Sequence, residues 1–330
     1  MKPALVHGVL RHRLLTLLSA LLVALLLIFA ILVSSRHILK QDALNAKEDY
    51  RVYSFDVVNE YDHDPLAFTQ GLVYAGNDTL YESTGMYRSS SVRKVHVQSG
   101  KVLQLHRMDN KYFGEGLTLL DHRLFQVAWL ITSGFIYDEN TLSRLGSFRH
   151  PMKDGWGLAT DGKVIYGSDG TSTVYVMEPS SFKEQRRFIV KDQNKEIIKL
   201  NELEYVDGEL WANVWMTDCI VRISPVNGQV LGWILLHELK NNLLARNYKA
   251  IDVLNGIAWD NKQSRLFVTG NMEEVPCLVL SLAGKDSTLF LLIQSKGKAA
   301  SNGNCAQKSV KKQKWDIQPA VSSDRMKSCF

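Results

Sequence analysis

Residues Gly157 to Pro179 read GLATDGKVIYGSDGTSTVYVMEP. Three short apolar strands stand there, separated by Asp161-Gly162 and Asp169-Gly170, dipeptides that favour tight reversals between antiparallel strands. Trp156-Gly157-Leu158, at the head of this stretch, has four counterparts: Gln70-Gly71-Leu72, Glu115-Gly116-Leu117, Glu202-Leu203-Glu204 and Asn255-Gly256-Ile257. Their middle positions fall 45, 41, 46 and 53 residues apart. Strands and turns recurring at that period are the signature of a β-propeller. The chain is therefore expected to be all-β, with the starts of its innermost strands, and hence Gln70, Glu115, Trp156, Glu202 and Asn255, gathered around one central channel.

Working outward, the first repeat supplies strands at Ala67–Val73, Asp78–Ser83, Ser91–His96 and Val102–Arg107, with turn chemistry at Gly76-Asn77-Asp78 and Gln98-Ser99-Gly100. The second and fourth repeats have the same four-strand rhythm. HELKNNLLARNYKAID, beginning at His237, is helical in character and accounts for the longest interval. The fifth repeat offers Gly256–Asp260 and Leu266–Thr269 before the pattern stops. The alternating strand Val52–Val58 is the natural candidate to complete it, because a propeller hides its sheet edges by closing on itself. Five blades follow, the last built from both ends of the domain.

The N-terminus has a different chemistry. Leu14 to Val33 carries no charge and is long enough to span a bilayer, with Arg11 and Arg13 before it and Arg36 and Lys40 after it. It reads as a transmembrane signal anchor rather than a cleaved leader, whose apolar core is normally shorter. The expected organisation is a cytosolic N-terminus at 1–13, an anchor at 14–33, a stem at 34–50, a five-bladed propeller at 51–294 and a disordered polar tail at 295–330. The protein would be a type II protein of the endoplasmic reticulum or another secretory membrane, with the propeller lumenal; cleavage and secretion is the alternative. The sequon Asn77-Asp78-Thr79 in a hairpin tip fits a lumenal glycosylated domain.

The net charge of +5 is modest, and its late lysines Lys308, Lys311, Lys312 and Lys314 read as a solvated tail, with no nucleic-acid partner implied. Cys219, Cys277, Cys305 and Cys329 lack metal-ligand spacing and do not resemble a disulfide framework. Nothing points to oligomerisation, so a monomer is expected.

Several ordered motifs carry a further message: Phe68-Thr69-Gln70-Gly71-Leu72, Phe113-Gly114-Glu115-Gly116-Leu117, Asp154-Gly155-Trp156-Gly157-Leu158, Leu200-Asn201-Glu202-Leu203-Glu204 and Trp211-Ala212-Asn213-Val214-Trp215. Across about residues 50 to 270 the chain resembles the plant and bacterial, papaya-type glutaminyl-peptide cyclotransferases, or glutaminyl cyclases. The resemblance implies a five-bladed propeller that converts the N-terminal glutamine of peptides and proteins to pyroglutamate and releases ammonia. It implies Glu115 as the proton shuttle and Asn201 and Gln70 as polar positioners. Trp129, Trp156 and Trp215 would line the pocket, with Phe68 and Phe113 as wall residues. Read without the resemblance, Glu115 is equally a turn cap, and the aromatics are core residues between blades. No cofactor is required; Asp169 and Glu202 are weak candidates to ligate a structural calcium in the channel.

The resemblance ends near residue 270. Where the family has a lysine implicated at the catalytic site stands Asn271, which offers only a neutral hydrogen bond. After it, Cys277–Leu282 and Thr288–Ile293 are apolar enough for strands. The change leaves two readings open, an alternatively spliced ending or divergence in which new strands replace old ones. The alternative to an active cyclase is therefore a catalytically impaired isoform, a propeller that binds peptides without turning them over.

Overall fold

The alternation in VYSFDVV extends into strand β1 (Val52–Tyr61), first in the chain and last in the architecture. Blade one follows as β2 (Thr69–Gly76), β3 (Thr79–Thr84), β4 (Ser91–His96) and β5 (Lys101–Arg107). Blade two is β6 (Gly114–Leu120), β7 (Arg123–Ala128), β8 (Ser133–Asp138) and β9 (Arg144–Arg149). Blade three is β10 (Leu158–Thr160), β11 (Ile165–Ser168), β12 (Thr173–Met177) and β13 (Glu184–Ile189). A small hairpin, β14 (Lys191–Asp192) with β15 (Lys195–Glu196), precedes blade four, which is β16 (Leu200–Val206), β17 (Glu209–Val214), β18 (Cys219–Ile223) and β19 (Val230–Leu235). Helix α1 (His237–Ala245) then leads to β20 (Ile257–Asp260), β21 (Arg265–Val268) and β22 (Cys277–Ala283). The computed structural model describes residues 52–246, 248, 253–270 and 276–283, with Arg36 and Cys329.

Blade five confirms the expected closure. Its order is β20-β21-β22-β1, with β1 antiparallel to β22 from Ser54↔Ala283 to Tyr61↔Cys277. β1 also touches β19 of blade four in parallel, at Val52↔Trp233 and Tyr53↔Ile234. The stretch after residue 271 thus supplies a real strand, and β1 covers its edge. Among the described residues the hydrophobic core falls into five clusters, and each lies between two successive blades. The wedge between blades five and one holds Phe267 and Val279 against Leu72 and Val95, so the packing closes the ring as the hydrogen bonds do. Leu239 and Leu243, four apart and on one face of α1, are buried in the wedge between blades four and five.

One expectation is overturned. Cys329 is buried in the core of blades three and four and bonded to Cys219 at the start of β18, with Cα atoms 5.9 Å apart. Spacing along the chain could not reveal a pair separated by 110 residues. Cys277 is a free, buried cysteine.

No helix among the described residues is long and apolar enough to cross a membrane. The expected anchor at Leu14–Val33, the stem apart from Arg36, Asn271, Thr288–Ile293 and the tail apart from Cys329 lie outside the described residues.

Candidate active site

The innermost strands break their pairing at one shared place. In blade one, Thr69 pairs with Thr84 and Gly71 with Ser83, leaving Gln70 unpaired. In blade two the register jumps from Gly114↔Ala128 to Leu117↔Gln126, leaving Glu115 and Gly116 opposite one residue. In blade four it jumps from Leu200↔Val214 to Leu203↔Ala212, across Asn201 and Glu202. Such bulges bend a strand and re-aim its side chains, and they concentrate beside functional sites. The repeated triplets place these residues at the strand starts; the bulges that turn them leave no mark in residue type.

Glu115 is buried, and its carboxyl group has no hydrogen-bond partner among the described residues. Burial, and then the negative charge of Asp154, push its pKa well above the usual carboxylate range. Its backbone is fixed by a chain of side chains. The Tyr137 hydroxyl donates to Gln126 Oε1 at 2.9 Å, Gln126 Nε2 to Ser83 Oγ at 2.7 Å, and Ser83 Oγ to the Glu115 carbonyl at 2.5 Å. The glycines beside it serve the packing. A Cβ on Gly116 would stand 2.6 Å from Gly157 Cα, and one on Gly114 2.7 Å from the Thr84 carbonyl oxygen. Neighbouring blades approach too closely at the channel for a side chain there.

The chain on either side of Glu115 leads to two aromatic groups. Phe113, two residues before Glu115, meets Phe68 edge-on at 6.0 Å and Trp129 at 5.6 Å. Tyr87 joins them, 5.6 Å from Phe113 and 6.5 Å from Trp129. On the other side, the Gly116 N–H donates to the Trp156 carbonyl at 2.6 Å. The Trp156 ring stands perpendicular to Trp215 at 5.5 Å. Asp154 sets the Trp156 ring by accepting its Nε1–H at 3.0 Å, while its other oxygen takes the N–H groups of Leu130 and Gly155. Trp129 and Trp215 remain more than a third exposed, so they are rim residues rather than core.

A line of amides joins three blades. Asn255 Nδ2 donates to the Thr69 carbonyl at 3.2 Å and to Gln70 Oε1 at 2.8 Å. Asn201 Nδ2 donates to Asn255 Oδ1 at 3.3 Å. A main-chain carbonyl can only accept, so the Thr69 contact sets the direction of every bond in the line. Gln70 is left with its N–H₂ to offer, and Asn201 with its oxygen, which is buried and has no partner among the described residues.

The two calcium candidates have other occupations. Glu202 accepts the N–H of Leu72 at 3.2 Å and of Ile257 at 3.1 Å, tying the inner strands of blades one, four and five with one carboxyl. Burial and the adjacent Glu204 raise its pKa well above the usual range. Asp169 accepts from Thr171 and from the Tyr175 hydroxyl. Among the described residues no three His, Cys, Asp or Glu side chains come together as a metal site.

Of the expected site residues, Phe68, Phe113 and Trp129 meet in one aromatic group, Trp156 and Trp215 in a second, and Gln70 and Asn201 in the amide line, while Glu115 stands on the bulge of β6 and Asn271 lies outside the described residues. Tyr87 and Asp154 join the site without having been singled out, and Asn255, placed at the channel by its triplet, gains a role. Asp154 stands inside a quoted motif, but only its contacts reveal what it does.

Comparison with known proteins agrees with this geometry. Residues 26–275 match the family model described as glutamine cyclotransferase. A glutaminyl-peptide cyclotransferase of Arabidopsis thaliana is 60% identical over 223 residues, covering 68% of this chain and 70% of the relative. The crystal structure of the glutaminyl cyclase of Myxococcus xanthus superposes with a TM-score of 0.64 at 29% identity, over 70% of this chain and 98% of that one. With the match spanning the bulged strands and both aromatic walls, this chain belongs to the glutamine cyclotransferase family.

Proposed function

We propose that the chain cyclises the N-terminal glutamine of peptides and proteins to pyroglutamate, with Glu115 carrying the proton. The observation that supports this most directly is Glu115 itself: a buried carboxyl without a protein partner among the described residues, with a raised pKa, two residues after Phe113 and one before Gly116, which bonds to Trp156. The lone pair of the substrate's α-amine forms a bond to the side-chain amide carbon, and the carbonyl electrons move to oxygen. Glu115 takes the proton that the amine loses. When the oxyanion collapses, the bond to the amide nitrogen breaks, Glu115 returns the proton to that nitrogen, and ammonia leaves. A carboxyl whose pKa is raised is a better base for the first transfer than an ordinary carboxylate, and as the acid it forms it returns the proton in the second. Gln70, whose N–H₂ is the free end of the amide line, donates to the developing oxyanion. Asn201 Oδ1 accepts from the substrate amine. The aromatic walls hold the neutral amide and limit water, so that ring closure outruns hydrolysis.

The setting is part of the same reading. Residues 14–33 anchor the chain in a secretory membrane with the propeller lumenal. A disulfide between Cys219 and Cys329 favours an oxidising compartment, and Asn77 is exposed in the β2–β3 turn, where an oligosaccharide transferase can reach it. The substitution at Asn271 motivates the alternative of an impaired, peptide-binding propeller.

One assay separates the two: ammonia release from a glutaminyl dipeptide by the full-length chain, beside Glu115→Gln and Asn271→Lys. Turnover in the unmodified chain that vanishes in Glu115→Gln supports the proposal. A folded, silent chain rescued by Asn271→Lys establishes the alternative, and near-full activity in Glu115→Gln removes the proton-shuttle role.

A further inference from the structure

On the face that carries the site, the second and third strands of blades one to four are joined by a short turn. The second residue of that turn is Met86 in blade one, Leu130 in blade two, Gly170 in blade three and Met216 in blade four. All four have left-handed backbone, with φ of 82°, 59°, 75° and 67°. That conformation is costly for a residue with a Cβ and especially unusual for a bulky apolar one.

Gly170 shows what the turn takes when packing decides, since a Cβ there would stand 2.7 Å from the Trp156 ring. The other three carry large apolar side chains open to solvent: Met86 is 44% exposed, Leu130 65% and Met216 61%. The remaining described non-glycine residues with positive φ are polar or charged, save Leu142 and Phe182, which are 1% and 4% exposed and repay their strain in the core. So the exposed apolar residues held in left-handed backbone occupy one structural position in three blades. Leu130 and Met216 each follow a rim tryptophan, and Met86 precedes Tyr87. Backbone strain spent on an exposed apolar side chain points to a partner outside the fold.

We infer that Met86, Leu130 and Met216 form a hydrophobic collar that grips apolar side chains at the second and third positions of the substrate peptide. This rests on the function proposed above and adds to it a class of preferred substrate. The glutamine is the N-terminal residue, with its amine and side-chain amide both turned to Glu115, so the rest of the peptide leaves through its carbonyl toward the rim that Trp129 and Trp215 form. An extended peptide advances about 3.5 Å per residue, so the next two side chains lie at the level of the collar. Three apolar groups on separate blades around a mouth suit a single emerging chain better than a flat partner surface.

The test compares kcat/KM of the full-length chain for Gln-Phe-Ala and Gln-Gly-Ala, in the unmodified protein and in the combined variant Met86→Gly, Leu130→Gly, Met216→Gly. Glycine relaxes the left-handed turns, so the variant is expected to remain folded, with a melting temperature within about 3 °C of the unmodified chain. The phenylalanyl peptide is expected to be preferred about tenfold, and the variant to lose most of that preference. No preference in the unmodified chain, or an equal preference in the variant, overturns the collar. The same pair of peptides titrated against tryptophan fluorescence in Glu115→Gln reads the preference without turnover. Selective binding lost in the combined variant upholds the collar even if no ammonia is ever released, in which case the cyclisation reading alone falls. Unselective or absent binding overturns the collar, as does self-association of the unmodified chain that the variant abolishes.

Discussion

Glu115 draws its chemistry from three separate local facts. A bulge turns it inward, two glycines let the neighbouring blades close around it, and Asp154 adds a negative charge nearby. Replacing it with glutamine keeps the shape and removes the proton carrier. A fall in kcat of about 10²–10⁴-fold is expected, with peptide binding largely retained, as steady-state kinetics and fluorescence titration will read. The pH dependence follows from the direction of its shift. Glu115 must be ionised to accept the amine's proton, and burial and Asp154 move that ionisation upward. The rising limb of kcat is therefore expected well above the ordinary glutamate value of about 4.3. Asp154→Asn removes the charge and keeps one acceptor oxygen, for either the Trp156 ring or the N–H groups of Leu130 and Gly155. The limb should move to lower pH in that variant; an unmoved limb would show that burial alone sets it.

At the scale of strands and turns, blade phase was the legible part. The Gly-Leu type triplets locate each inner strand, and the turn dipeptides locate most of the strands outside it. β1 could be assigned to the last blade because an unfinished sheet needs an edge strand. What escaped depends on distance in space: the three bulges, the hairpin β14–β15, and the amide line through Asn255. Glycine shows the difference well. Gly116 stands in the sequence only as part of a repeated triplet, whereas in the fold it is clearance between β6 and the start of β10. Gly116→Ala should therefore destabilise by about 1–3 kcal/mol through overpacking against backbone, seen as a lower urea midpoint, and lower activity by displacing Glu115.

For the whole molecule, acidity and redox state act in opposite ways. Glu204, half-buried between blades four and five, has its pKa pushed up by burial to about 8, and Glu202 is shifted in the same direction. A carboxyl whose folded pKa is raised stabilises the fold fully below its unfolded pKa of 4.5, and that contribution fades as pH rises toward 8. Glu82 runs the other way. Its burial is outweighed by His63, Arg93 and Thr69, which hold its pKa at about 2, so its contribution is lost as pH falls from 4.5 through 2. The melting temperature is thus expected to be higher at pH 5 than at pH 8, and Glu204→Gln should flatten that slope in a thermal melt. The Cys219–Cys329 bond closes a long loop, and Cys329→Ser is expected to cost about 2–4 kcal/mol in denaturant unfolding. Cysteine order in the chain gives no hint of this, because the pairing is made by the folded blades.

The placement of β1 has a consequence for how the protein is made. β1 leaves the ribosome before any blade and completes its pairing last: β19 of blade four meets it only at Val52 and Tyr53, and β22, which pairs with it along most of its length, is translated only after four whole blades. Throughout synthesis that early segment carries unpaired amide groups and the side chain of Phe55, which only the finished wedge of blades four and five conceals. A nascent chain halted at any of the first three blades therefore displays the same loose strand to chaperones, whichever blade it reached. Completion of the fifth blade is the event that withdraws it.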